Sequence, residues 1–216
     1  EIYLGPASGF GGRDHARLLS RDALGASDLA QALATLSRTS SGHSRVLLMG
    51  DGVITAGAAG TIELREAVAK LAAHGVRRFD ALAEGGIQDR DTLTALTRAG
   101  LAHTGVVLDA RVTADRLADR MLLGTRDRIE VRIAGAGFVY PSVLEGVQPG
   151  DELLVFAEIP RDMPVQIELA EAGATALPTL DVPRPLIERA MARARIEALS
   201  RELRALRPDA EAARVG

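Results

Sequence analysis

Four consecutive apolar residues, Val46-Leu47-Leu48-Met49, stop abruptly at Gly50-Asp51-Gly52, and an amphipathic segment follows at Thr61–His74. A short apolar run closed by turn residues suits a strand buried on both faces. Such strands belong to parallel sheets, whose crossover helices cover the faces. The expectation is an α/β fold with Val46–Met49 as its central strand. A carboxylate at the C-terminal end of such a strand stands where open α/β sheets place their ligands, so Asp51 is the first residue to consider for function. Asp-Gly also ends strands for local reasons, through side-chain hydrogen bonding to the backbone and a glycine φ above zero. On this segment alone the turn accounts for both residues.

Strand and helix signals alternate from the start of the chain to about Gly124. Ile2–Leu4 reads as a strand and the glycine-rich Pro6–Gly12 as a loop. Leu24–Ser37 opens with Gly25-Ala26-Ser27-Asp28, a helix N-cap pattern, and carries Leu29, Ala32, Leu33 and Leu36 on one face. Thr61–Ala73 is expected as a helix with Ile62, Leu64, Val68 and Leu71 apolar and Gly75 as terminator. Val76–Leu82 is a strand, Asp89–Ala99 a helix stopped by Gly100, Gly105–Leu108 a strand, and Thr113–Leu123 a helix stopped by Gly124. This spacing predicts an open, doubly wound, mostly parallel sheet with helices on both sides.

The pattern then changes. Ile129, Val131 and Ile133 alternate with Arg128, Glu130 and Arg132, and further strands are expected at Leu153–Ile159 and Val165–Leu169, with a turn at Gln148-Pro149-Gly150-Asp151. Half of the six aromatic residues fall here, as Phe138, Tyr140 and Phe156, which marks a separate small β-module. Gly173–Pro183 reads as a linker, Pro185–Leu206 as a long helix striped by Leu186, Ile187, Ala190, Ile196 and Leu199, and Arg207–Gly216 as its frayed tail. The expected domains are 1–124, 125–172 and 173–216. The chain has no initiator methionine and opens on a strand-like segment, so it reads as a piece of a longer protein.

Composition narrows the chemistry. A net charge of −3 without a basic block leaves no electrostatic footprint for nucleic acid. With no cysteine there is no disulfide, thiolate metal site or cysteine nucleophile. No apolar run is long enough to span a membrane. The four histidines, His15, His43, His74 and His103, lack ligand spacing and read as surface residues. Gly-x-Ser-x-Gly is absent, so no nucleophile elbow is signalled. Carboxylate pairs such as Asp89/Asp91 and Asp115/Asp119 fall where they complement helix dipoles or pair with arginines. No residue is expected to be catalytic.

Two constellations remain. Glu84-Gly85-Gly86-Ile87, set between a strand and a helix, could cradle a phosphate with backbone amides; it is similar to the phosphate-binding turn of some (β/α)8-barrel enzymes. The second constellation combines Gly25-Ala26-Ser27-Asp28-Leu29 with Gly50-Asp51-Gly52, and here the chain resembles the von Willebrand factor A-type domain. That family carries a Gly-Gly-Thr-Asp-Leu-like turn before a helix and, some twenty residues later, a buried strand ending in Thr-Asp-Gly. The segment Gly75–Gly100 resembles the family's next strand, loop and helix. Phe138-Val139-Tyr140-Pro141 followed by Gly150-Asp151-Glu152-Leu153-Leu154-Val155-Phe156 resembles the β-module that follows this domain in relatives of the inter-alpha-trypsin inhibitor heavy chains (VIT plus VWA). Ala192-Arg193-Ala194-Arg195-Ile196-Glu197-Ala198-Leu199 resembles their C-terminal helix, with Met191 where tryptophan is usual.

The resemblance implies protein–protein binding or adhesion, outside the cell or in its envelope. The family holds a divalent cation at the C-terminal edge of the sheet, and its open position takes a carboxylate from the partner protein. Hard oxygen ligands suit Mg²⁺. Carried over, Ser27 stands in the family's threonine position and Asp51 in its aspartate position, while Asp28 reads as a helix cap. The family's Asp-x-Ser-x-Ser motif is missing from this chain, and its first strand would lie upstream of Glu1. The expected Mg²⁺ site is therefore incomplete here, and none is expected to fill in this chain alone. The alternatives are a phosphate-binding α/β enzyme using Gly85-Gly86 and a metal-free structural scaffold.

Overall fold

A computed structural model describes residues 9, 11–20, 26–39, 42–57, 60–170, 173–181 and 184–206. The expected strand Ile2–Leu4 and the tail Arg207–Gly216 lie outside the described residues. The chain divides into two compact units, Glu1–Asp127 with Gly146–Pro149, and Arg128–Glu145 with Gly150–Gly216.

The first unit runs α1 (Gly12–Leu19), α2 (Leu29–Thr39), β1 (Arg45–Gly50), α3 (Thr61–Lys70) with a 3-10 turn Leu71–His74, β2 (Arg78–Ala83), α4 (Arg90–Thr97), β3 (Val107–Asp109) and α5 (Ala114–Leu122). The three strands are parallel in the order β1-β2-β3. Alternate strand residues face opposite sides. Val46, Leu48 and Phe79 pack with Leu33, Leu64, Val68, Leu71 and Leu96 of the helical layer on one face. Leu47, Leu82 and Leu108 pack with Leu117 and Met121 of α5 on the other. Helices thus cover both faces of a parallel sheet. Of the apolar positions expected in α3, Leu64, Val68 and Leu71 are fully buried, whereas Ile62 remains 40% exposed.

One expectation is corrected. Among the described residues Val46–Met49 is not central: β1 lies at the edge of the three-stranded sheet, with Met49 59% exposed. The central strand is β2, all six of whose residues are buried. Its Arg78 and Asp80 break the apolar run that betrays a buried strand, and they stay inside because Asp80 pairs with Arg78 and with Arg45 of β1. Asp80, with no exposed surface, accepts from Arg45 Nε at 2.6 Å and from Arg78 Nε and the Val106 amide at 2.9 Å each. Arg45 donates to the Met121 carbonyl and Arg78 to the Leu123 carbonyl, at the C-terminal end of α5 where a helix is electronegative.

Gly105 lets β3 approach β2: a Cβ there would overlap the Phe79 carbonyl oxygen. The C-terminal end of α5 is closed by Gln148, 2% exposed, which donates to the Arg120 and Leu123 carbonyls at 2.8 and 3.1 Å and accepts from Arg120 Nε at 2.8 Å. α1, absent from the sequence expectations, buries no residue and so carries no core-facing stripe.

The second unit contains β4 (Ile129–Ile133), β5 (Phe138–Tyr140), β6 (Val143–Leu144), β7 (Phe156–Glu158), β8 (Val165–Leu169), β9 (Gly173–Leu177) and α6 (Arg184–Leu206). A four-stranded antiparallel sheet has the order β6-β4-β8-β9, and β5 pairs with β7. The alternation read in β4 is present, with Val131 buried and Glu130 and Arg132 exposed. The strand expected at Leu153–Ile159 shortens to Phe156–Glu158. Gly173–Leu177, expected as linker, is instead a strand paired along its length with β8. Its Gly-Ala-Thr-Ala-Leu side chains are all exposed, so backbone pairing, invisible to an apolar pattern, is what orders it.

Candidate functional site

The three parallel strands end level with one another: Gly50 pairs with Ala83, and Ala83 with Asp109. Their carboxyl ends bring Asp51, Glu84 and Asp109 to one edge of the sheet. Asp51 is half-buried, accepts from the Val53 amide at 2.9 Å through Oδ1, and accepts from the Asp89 amide at 2.8 Å through its carbonyl. The strand-ending turn read from Asp-Gly is therefore real. It leaves the second carboxylate oxygen of Asp51 outside that bond.

Ser27 is exposed and lies in the turn before α2. Its amide donates to Thr55 Oγ1 at 2.6 Å, and its carbonyl accepts from the Thr55 and Ala56 amides at 3.1 and 3.3 Å. The turn carrying Ser27 is thus joined to the loop that starts at Asp51. Sequence reasoning did not single out Thr55; a hydroxyl four residues beyond the strand-ending Asp was the available signal. Asp28 caps α2 by accepting from the Gln31 amide at 2.8 Å. Its carboxylate also fills the space a side chain would need at Gly57, whose φ is +76°.

Asp109 is committed elsewhere. It accepts from Arg111 Nη2 at 2.7 Å, from the Arg111 amide at 2.9 Å and from Arg90 Nη1 at 3.2 Å. Hydrogen bonding from the Arg111 side chain, then from its amide, holds this carboxyl far below the usual range, and Asp109 in turn raises Arg111. At the Gly85-Gly86 turn, Gly85 adopts φ +99° and its carbonyl accepts from Gln88 Nε2 at 3.1 Å. Asp89 then caps α4, taking the Thr92 amide at 2.9 Å and its hydroxyl at 2.7 Å. A carboxylate therefore already occupies the helix N-terminus that a phosphate would use, and it repels a second anion.

Mg²⁺ asks for six oxygens in near-octahedral array. Ser27 and Asp51 offer two side-chain donors, and among the described residues no group of three or more His, Asp or Glu side chains is placed to hold a metal. The residues present do not make up the shell. The histidines do not gather either; His103 Nε2 lies 3.5 Å from Arg77 Nη2. Among the described residues no helix is long and apolar enough to cross a membrane. No protein-family model, curated protein or solved structure matches the chain.

Proposed function

We propose that this chain is part of a von Willebrand factor A-type protein of the inter-alpha-trypsin inhibitor heavy chain group, and that the carboxyl edge of its parallel sheet binds a protein partner rather than catalysing a reaction. The observation that carries the reading is the junction of the Ser27 turn with the Asp51–Gly57 loop through Thr55. Two segments distant in sequence meet beside the strand end, which is what a binding edge built from several loops requires. The parallel strands with helices on both faces support it, since a closed (β/α)8 barrel fills its inner face with strand side chains. The Asp89 cap weighs against phosphate binding at Gly85-Gly86. A partner carboxylate and Mg²⁺ belong to this reading through family resemblance, as does a location outside the cell or in its envelope.

Calorimetric titration with Mg²⁺ tests it. The 216-residue chain is expected to give no saturable heat. A longer chain carrying an upstream Asp-x-Ser-x-Ser, if the gene encodes one, is expected to bind, and Asp51→Ala to abolish that binding. A folded longer chain that has the motif and ignores Mg²⁺ returns Asp51 to the role of a strand-end turn.

A further inference from the structure

We infer that α6 is a self-association element, through which two copies of this chain pair in antiparallel fashion. The helix has two apolar faces. One is occupied: Ala194 is buried, and Arg195 and Arg201 lie 5.5 and 5.6 Å above the rings of Phe138 and Tyr140. The other points to solvent. Ala192, Ile196, Leu199 and Leu203 recur at steps of four, three and four residues, which keeps them within an arc of about 60°. Ile196, Leu199 and Leu203 are 65%, 64% and 54% exposed. These are the steps of a coiled-coil seam, and they are complemented by a helix bearing the same steps.

Charge identifies that helix and its direction. Arg189 continues the seam toward the N-terminus, so a parallel pair would stack Arg189 on Arg189 of the second copy inside the contact. The antiparallel register avoids this. It sets Ile196 against Leu199 of the second copy and Ala192 against Leu203, small opposite large, and the two-fold axis repeats both layers. Arg195 and Glu202 lie seven residues apart on one flank of the seam. In this register Arg195 of each copy meets Glu202 of the other, forming two ion pairs. Arg195 is already held by Glu158 Oε1 at 2.5 Å and by the Phe138 ring, so less of its motion is lost on pairing. Four layers bury less than the roughly 1,200 Å² of a standard interface. The pair is therefore in concentration-dependent equilibrium with the monomer.

Sedimentation equilibrium on the full chain, from about 1 μM to 1 mM, is expected to show a monomer–dimer system. Leu199→Asp is expected to weaken it about 100-fold, with an unchanged circular dichroism spectrum. The chain has no cysteine, which permits a test of direction. An equimolar mixture of Ala192→Cys and Leu203→Cys should oxidise to a mixed disulfide dimer. Ala192→Cys alone should not, because antiparallel pairing holds its two copies about 16 Å apart, beyond the reach of a disulfide. A monomer at every concentration overturns the inference and leaves the stripe to a helix of another protein. So does a dimer indifferent to Leu199→Asp, and efficient cross-linking of Ala192→Cys alone overturns the antiparallel register.

Discussion

Arg45 Nε meets Asp80 Oδ2 at 2.6 Å across two neighbouring parallel strands, and Asp80 has no exposed surface. One carboxylate serves two guanidinium groups, and the Nη2 atoms of Arg45 and Arg78 are buried without a hydrogen-bond partner. The cluster is thus held together by Asp80 and by the carbonyls at the end of α5. Removing the one anion leaves two cations beneath a helix. Asp80→Asn is predicted to destabilise the first unit by about 3–5 kcal/mol, read from urea denaturation. Replacing all three charges together, as Arg45→Met, Arg78→Met and Asp80→Leu, is predicted to be far milder than the single change. Equal losses in both would contradict this account.

Acid sensitivity is expected to track Asp127. Burial pushes its carboxyl up, but the amides of Thr104 at 3.1 Å and Gly146 at 3.0 Å bring it below the ordinary 3.8. A depressed folded-state value means that the stabilisation is complete above the unfolded carboxylate range and is lost as pH falls through the folded value. Asp109 contributes with the same sign. The thermal midpoint should therefore hold from neutrality to about pH 5 and fall below about pH 4. Asp127→Asn should lower it at pH 7 by an amount equivalent to about 1 kcal/mol, given its exposure, and flatten the acid limb. A variant with an unchanged limb would argue against Asp127.

Gly105 is predicted to tolerate no side chain. A Cβ would overlap the Phe79 carbonyl oxygen in β2, so Gly105→Ala should cost about 3 kcal/mol. Gly86 is the control: a Cβ there meets nothing within 4 Å, and Gly86→Ala should be neutral or stabilising by about 0.5 kcal/mol. Thermal unfolding of the two variants side by side separates close approach from turn geometry.

Asp28→Ala should cost about 1 kcal/mol through loss of the α2 cap. In a longer chain that binds Mg²⁺ it should leave the affinity unchanged, unlike Asp51→Ala. Loss of Mg²⁺ binding on Asp28→Ala would make it a ligand rather than a cap.

Where amphipathic spacing and capping residues agree, the sequence was readable. α3 with its Gly75 stop, α4 capped by Asp89, and β4 and β8 all lie where periodicity puts them. It misled where ionic or backbone interactions replace apolar burial. Val76–Leu82 reads as a strand, but Arg78 and Asp80 interrupt its apolar run and make Val46–Met49 look the more central, and β9 reads as linker because pairing with β8 is written in its backbone alone. At the candidate edge Asp51 is legible from its place at a strand end and Ser27 from resemblance alone, whereas Thr55, which ties their segments together, emerges only from the fold.

Gln148 sets a limit on how this chain can be rearranged. The first unit runs to Asp127 and resumes for the four residues Gly146–Pro149, after which the chain passes back into the second unit. Those four residues include the amide side chain that closes the end of α5. Neither unit is therefore a contiguous cassette. A breakpoint between Asp127 and Gly146 severs the first unit from its own plug, and one after Pro149 divides the second unit instead. An insertion confined to the stretch between Asp127 and Gly146 leaves that helix end closed.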